Sequence, residues 1–447
     1  MAGPPPLPTT NQPNVIDRAI ALACAGKLEE ALRWVVAELN RDPSGGVATL
    51  LTARFLAELG REEVARLGFE TCVTRAIAAG QLPVAVAACA ELRRFGGDAG
   101  ACYQQIATAY AEGSRSLGER SMEPPALGGA QEVEQPLPDS FRGDSLLDEA
   151  ADALRAARQA LPGDAPSDLP QQPLFSSLGE GALAAFVEIF ELSLVSADQR
   201  VIAEGELGTS AYVVVRGELE VSKQSENDAE PVRLARLGGG ALVGEMALIS
   251  RAPRAASVTA LRPSLLLTAT KESLDALAER EPAIGDEFAS RFRRRMVENL
   301  VRTSAILRAV RAKERHSLVE RFVTRAFEAG ERIIEQGQSS DGLHLIASGA
   351  VQVTHREADG EELPIAELGV GEVVGEVALV LRRPSNADVV ARIPTVTLHL
   401  PHDGFHALIK QHPTLLAELY DLAVQRDEQT SSIVAQEATE VDDFVLI

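Results

Sequence analysis

The stretch Gly244-Glu245-Met246-Ala247-Leu248-Ile249-Ser250-Arg251-Ala252-Pro253-Arg254-Ala255-Ala256-Ser257-Val258 sets the reading of this chain. Glycine at 244 lets the backbone approach a ligand with no side chain between, and a short helix opening after it aims free amides at an anion. Arg254 adds the countercharge, and its planar fork suits phosphate oxygens. Glu245 would repel a bare phosphate. A carboxylate belongs there if it accepts a sugar hydroxyl, so the pair fits a sugar phosphate with a free hydroxyl. The alternative is structural, with Glu245 and Arg254 pairing with each other.

Short alternating runs that end at glycines surround this stretch: Val201-Ile-Ala-Glu-Gly, Ala211-Tyr-Val-Val-Val-Arg-Gly and Glu218-Leu-Glu-Val-Ser. Period-two hydrophobicity with glycine punctuation predicts strands. The order returns at Arg332-Ile-Ile-Glu-Gln-Gly, Leu343-His-Leu-Ile-Ala-Ser-Gly and Ala350-Val-Gln-Val-Thr. Ile202, Gly205, Gly217 and Val221 fall on Ile334, Gly337, Gly349 and Val353 at a constant offset of 132. The C-terminal half is therefore an internal duplication. Its second cassette keeps Gly375, Glu376, Val377, Ala378, Leu379 and Pro384, but Ser385 stands where Arg254 stands, followed by Asn386 and Asp388. Arg382 and Arg383 are nearby substitutes that would lose side-chain entropy on swinging in, and Asp388 is placed to neutralise a cation introduced at 385.

Gly244-Glu-x-Ala-Leu, a short turn, then Pro253-Arg-Ala-Ala resembles the phosphate-binding cassette of the cyclic nucleotide-binding domain family, the module of protein kinase A regulatory subunits and of the catabolite activator protein. The resemblance covers Pro173 to about Val434. It implies a β jelly roll, and it implies that Gly244, Glu245, Met246, Ala247, Arg254, Ala255 and Ala256 bind a cyclic nucleotide, with Glu245 on the ribose 2'-OH. In this family a Thr or Ser after the cassette arginine favours cGMP; Ala255 occupies that place, so cAMP is expected over cGMP. The second set, Gly375, Glu376, Val377, Ala378, Ser385 and Asn386, is expected to be a degenerate site. The helices after such a domain serve as lid and dimer seam, which implies that Lys271 to Arg311, with Arg291, Arg293, Arg294, Arg295 and Arg302, relays occupancy; a solvated basic face is the alternative. The helix-turn-helix of catabolite-activator-like proteins is replaced here by a second barrel.

From Val15 to about Glu112 the chain is Ala- and Leu-rich with helical spacing, and Gly26-Lys-Leu-Glu-Glu-Ala recurs as Gly60-Arg-Glu-Glu-Val-Ala 34 positions on. This resembles tetratricopeptide repeats, although a third pair is out of phase. Prolines and glycines mark 115–172 as a linker with one amphipathic helix, Ser145 to Leu161, whose Leu146, Leu147, Ala150, Leu154 and Ala157 form a docking stripe. The expected organisation is α+β and multidomain: a disordered tail 1–13, tetratricopeptide-like helices 14–114, the linker 115–172, cyclic nucleotide-binding domain 1 at 173–303, a second such domain at 304–435, and an acidic then apolar tail 436–447. An N-terminal α-helical repeat region is thus followed by two tandem β jelly-roll (double-stranded β-helix) domains with flanking helices.

The 447 residues suit about three domains. A formal net charge of -22 and 4% aromatics, with Trp34 the single tryptophan, oppose nucleic-acid binding. Neither a secretory leader nor a membrane span is read, so a cytoplasmic protein is expected. Cys24, Cys72, Cys89 and Cys102 match no zinc or redox spacing and are expected to be reduced, mostly buried thiols. His402 and His406 have the i, i+4 spacing of a metal pair without an evident third ligand. Gly143-Asp-Ser-Leu and Asp341-Gly-Leu-His spell motifs of one serine hydrolase family but lie on segments with no common scaffold. The expectation is a non-catalytic cyclic nucleotide receptor with no cofactor or metal, passing occupancy to protein partners through the helical repeats or the C-terminal tail. A constitutive interaction scaffold is the rival, and a homo-oligomer is left open.

Overall fold

The computed structural model describes residues 14–121, 135–161, 167–172, 175–224, 231–244, 253–254, 256–283, 285–286, 300, 304, 310, 321–357 and 360–444. These fall into two compact units. The first takes in Met1–Glu204, Ser210–Gly244 and Ala255–Glu287, and the second Gly205–Thr209, Glu245–Arg254 and Phe288–Ile447.

The first unit opens with α1 (Val15–Cys24), α2 (Leu28–Arg41), α3 (Gly46–Glu58), α4 (Glu62–Ala78), α5 (Leu82–Arg94) and α6 (Gly100–Tyr110), each packed on the next. Asn14 starts α1 by accepting the Asp17 amide at 2.8 Å. The recurring Gly26 and Gly60 end α1 and α3 in the same way: each has positive φ, and the amide after it returns to a carbonyl five residues earlier, Lys27 to Leu22 and Arg61 to Leu56, both at 2.9 Å. The 34-residue recurrence is thus a helix terminator used twice. Burial on α2 falls on Ala31, Leu32, Val35, Val36 and Leu39, one face of a 3.6-residue period.

The stretch read as a linker is partly tied down. It carries β1 (Leu117–Ser121), α7 (Asp144–Gln159) and β2 (Leu169–Gln171), with β1 and β2 pairing in parallel. Leu146, Ala150, Leu154 and Ala157 are buried where α7 packs on α2, α3 and α4. Gly68 makes this closeness workable, since a Cβ there would lie 2.9 Å from Leu154. Composition signalled irregular chain, but each large apolar side chain that the stripe buries returns about 1.5 to 3 kcal/mol.

After α8 (Glu180–Glu188) come β3 (Glu191–Val195), β4 (Arg200–Ile202), β5 (Ser210–Arg216), β6 (Leu219–Lys223), β7 (Val232–Leu237), β8 (Leu242–Val243), β9 (Ser257–Ala260) and β10 (Ser264–Thr270), then α9 (Lys271–Arg280). They form two four-stranded antiparallel sheets ordered β3-β10-β5-β8 and β4-β9-β6-β7 around Val195, Ile202, Val214, Leu219 and Leu266. The helices are bolted to this barrel. Asp17, 1% exposed, takes Arg216 at 2.5 Å and Arg262 at 2.9 Å, and Arg54 reaches both Glu91 and the Leu192 carbonyl.

The second unit repeats the barrel with β11 (Val323–Phe327), β12 (Arg332–Ile334), β13 (Gly342–Ser348), β14 (Val351–Arg356), β15 (Glu362–Leu368), β16 (Val373–Val374), β17 (Asp388–Ala391) and β18 (Thr395–Pro401). The orders β11-β18-β13-β16 and β12-β17-β14-β15 match the first barrel strand for strand, so the jelly-roll expectation is borne out twice. Helix α10 (Glu376–Leu381) lies between β16 and β17, and α11 (His402–Gln411) and α12 (Pro413–Phe444) follow β18. Helix α12 runs past the expected end near Ala435 because no glycine or proline interrupts it after Pro413, itself at a tolerated first position. Residues 445–447 lie outside the described residues, as does most of the expected relay segment, including Arg291, Arg293, Arg294, Arg295, Arg302 and Ile306.

Candidate functional site

The second cassette is fully described. Gly375 has φ 89° and precedes α10, and a Cβ there would sit 2.7 Å from the Gly342 carbonyl, so only glycine fits. Glu376 is 1% exposed and accepts from Arg426 of α12 at 2.6 Å. The same guanidinium donates to the Val373 carbonyl at 2.6 Å and to Glu372 at 3.4 Å. Burial pushes the Glu376 carboxyl up from its ordinary value, and the Arg426 charge opposes that. Asp427, one residue on, pairs with Arg383 and accepts Asn386 Nδ2 at 2.9 Å. A cavity of about 350 Å³ remains, lined by Val374, Gly375, Val377, Ala378 and Ser385 and closed from α12 by Leu422 and Arg426.

Ser385 is buried, and its backbone forms a two-way link: its amide to the Gln338 carbonyl at 2.9 Å, its carbonyl from the Gly337 amide at 2.8 Å. In the first cassette Arg254 makes the same link, donating to Glu206 at 2.8 Å and accepting from Gly205 at 2.9 Å. Ser385 and Arg254 are therefore equivalent positions in the two repeats. The Arg254 guanidinium lies against Gly208, where a Cβ would come within 2.3 Å of Nε. Gly244 has φ 73° and Ala256 is half-buried ahead of β9. Glu245, Met246, Ala247 and Ala255 lie outside the described residues.

Asp388 is committed elsewhere: its carboxylate accepts the Gln336 amide at 2.8 Å and holds Arg356. Arg383 is engaged by Asp427. Chemically, the second pocket offers a carboxylate that already has its cation, and a serine where a phosphate would need one.

The fold and these cassettes define tandem cyclic nucleotide-binding domains. The cyclic nucleotide-binding domain family matches at residues 193–281 and again at 324–412, so the chain carries two copies of that domain. Among curated relatives, the cAMP-dependent protein kinase regulatory subunit of Yarrowia lipolytica is 30% identical over 236 residues, 53% of this chain and 58% of the relative. The type II regulatory subunit of that kinase from Drosophila melanogaster is 32% identical over 219 residues, 49% of this chain and 54% of the relative. The chain thus spans somewhat more than half the length of these relatives. A co-crystal structure of the regulatory domain of Toxoplasma gondii PKA with cAMP is similar at 26% identity, covering 57% of this chain and 91% of that one, with a TM-score of 0.28.

Sequence reading missed Arg426, Asp427 and Gly208. A signal for Arg426 exists: Leu415, Leu419 and Ala423 are buried, Leu422 beside them is partly buried, and position 426 continues the stripe. The other flagged motifs resolve locally. Ser145 sits in the first turn of α7, its hydroxyl donating to the Arg142 carbonyl at 2.9 Å. His402 is exposed and His406 half-buried, their Nε2 atoms 3.3 Å apart. All four cysteines are free, Cys24 exposed and the others buried. No helix among the described residues is long and apolar enough to cross a membrane.

Proposed function

We propose that the first domain is the cyclic nucleotide receptor of this chain, with cAMP preferred, and that the protein regulates partners without catalysing a reaction. One observation carries this reading: Arg254 and Ser385 occupy equivalent backbone positions, so the phosphate cation is kept in one repeat and lost in the other. Gly208 supports it by leaving room for the guanidinium. The relatives are named as regulatory subunits of a cAMP-dependent protein kinase, which makes a protein kinase the partner class to try first, contacted through the tetratricopeptide-like helices or the C-terminal helix. We also propose a cytoplasmic location. Calorimetric titration of the full chain with cAMP tests the reading. One site per chain, lost in Arg254→Ala, is expected; two equivalent sites, or none, would overturn it.

The Arg426 contact favours a ligand-independent role for the second domain, that of a scaffold. A cyclic nucleotide entering there would have to displace a buried ion pair from Glu376 before its ribose met a free carboxylate.

A further inference from the structure

The second barrel holds a polar cluster that nucleotide binding does not use. Strands β13 and β18 pair in a register that sets His344 directly opposite His399, their ring centroids 4.4 Å apart. Both imidazoles are buried, at 0% and 2% exposure. Asp341, in the turn that leads into β13, offers Oδ1 to His344 Nε2 at 3.3 Å and lies 3.4 Å from His399 Nε2. Among the described residues neither ring nitrogen of His399 completes a well-formed hydrogen bond, although the Asp341 carboxylate lies close, and a buried polar group left so is costly in a protein interior. Gly342 is fitted to this ring, since a Cβ there would sit 2.5 Å from His399 Nε2.

We propose that Asp341, His344 and His399 form a binding site for a divalent first-row transition ion, with zinc as the probe, independent of the nucleotide sites. Two imidazoles and one carboxylate are a donor set for zinc or its borderline neighbours, not for calcium or magnesium. With bonds of about 2.0 to 2.1 Å, ligand atoms in a tetrahedral shell stand about 3.3 Å apart. The two Asp–His separations already match, and all three ligand atoms lie within 4.8 Å of one another. A modest rotation of the His399 ring would close the remaining edge.

The outer contacts suit ligation. Thr397 Oγ1 lies 3.1 Å from His344 Nδ1 and fixes that ring, and Arg325 donates to Asp341 Oδ2 at 2.7 Å, leaving Oδ1 for the ion. The Asp341 carboxylate is half exposed while the imidazoles are buried, which provides an entry path and leaves the fourth position to water.

The test uses the full chain with His402→Ala and His406→Ala, which removes that helical histidine pair as a competing chelator. Zinc is titrated against a chromogenic chelator under a phosphine reductant. One zinc equivalent is expected that Asp341→Asn weakens by at least about tenfold and His399→Asn removes. Zinc should also raise the melting temperature of the background protein and leave that of the Asp341→Asn variant unmoved. Zinc at the exposed Cys24 would be common to all variants and cancels in the comparison. Asp341 is at the surface, so Asp341→Asn keeps the experiment decisive if His399→Asn fails to fold. Equal zinc uptake by background and Asp341→Asn, or no uptake by either, would overturn the site.

Discussion

Single positions decide what each cassette can hold. If the first domain binds cAMP as proposed, Arg254→Ala removes a charge-assisted contact worth about 1.5 to 3 kcal/mol, and cAMP affinity should fall ten- to more than hundredfold in calorimetry. Gly208→Ala asks the same question without touching the cation: its methyl would occupy the space of Arg254 Nε and Cζ, and a similar loss is expected if that placement serves the ligand. Unchanged affinity in both variants would detach the site from Arg254. If base choice rests on the neighbouring position, as proposed, Ala255→Thr, which supplies a hydroxyl for guanine, should raise cGMP affinity relative to cAMP in competition binding. An unmoved ratio would show that another contact reads the base. Arg254 was readable from the sequence because cation, glycine and carboxylate share one short segment. Gly208 was not, since its importance comes from a side chain 46 positions away that only the paired backbone at Gly205 and Glu206 brings over it.

Across the elements, the strands declared themselves through alternation and glycine punctuation, and their order followed from the duplication. The closure of the second pocket did not, because cassette motifs end before α12 while Arg426 acts from 50 positions beyond Glu376. Arg426→Ala would leave Glu376 buried and uncompensated, a change that costs about 3 to 5 kcal/mol and should appear as a lower denaturation midpoint. The acid side carries a distinct signature. The folded Glu376 has a raised pKa, so the folded state holds the proton more tightly than the unfolded chain. Its contribution is therefore fully present below the ordinary value of 4.5 and is lost as pH rises through the folded value. Glu376→Gln should remove that slope from the pH dependence of unfolding, and an identical profile would assign the slope to another group. Restoring the cassette cation by Ser385→Arg is expected to create a second cAMP site only together with Arg426→Gln, which releases Glu376. Asp388→Ala is no neutral companion, as it would strip partners from Gln336 and Arg356.

For the chain as a whole, the division into units changes what the N-terminal helices mean. Composition placed a Pro/Gly-rich linker between the helices and the first barrel and left open what the helices contact. Asp17 binds Arg216 and Arg262 across 199 and 245 positions of sequence, and the Arg93 guanidinium donates to the Phe190 carbonyl at 3.0 Å. Contacts this remote leave no periodic trace, since a lone aspartate on an apolar helix face reads as an ordinary polar residue until its partners are placed. Helices and first barrel should therefore unfold together. Asp17→Ala removes the buried carboxylate that Arg216 and Arg262 share, leaving Arg216 with Asn14; a cost of up to about 3 to 5 kcal/mol is expected, and it should lower the midpoint reported by Trp34 fluorescence and by hydrogen exchange in β5 and β10 by the same amount. The second unit has its own core, built on Leu343, Leu345, Leu398, Leu400 and Phe405, so exchange in β13 and β18 should respond to Arg426→Ala and stay unmoved by Asp17→Ala. If Asp17→Ala shifted Trp34 alone and spared β5 and β10, the helices would be an attachment to the first barrel rather than part of its folding unit. A ligand signal arising in that barrel could then reach them only through the weaker contacts that remain.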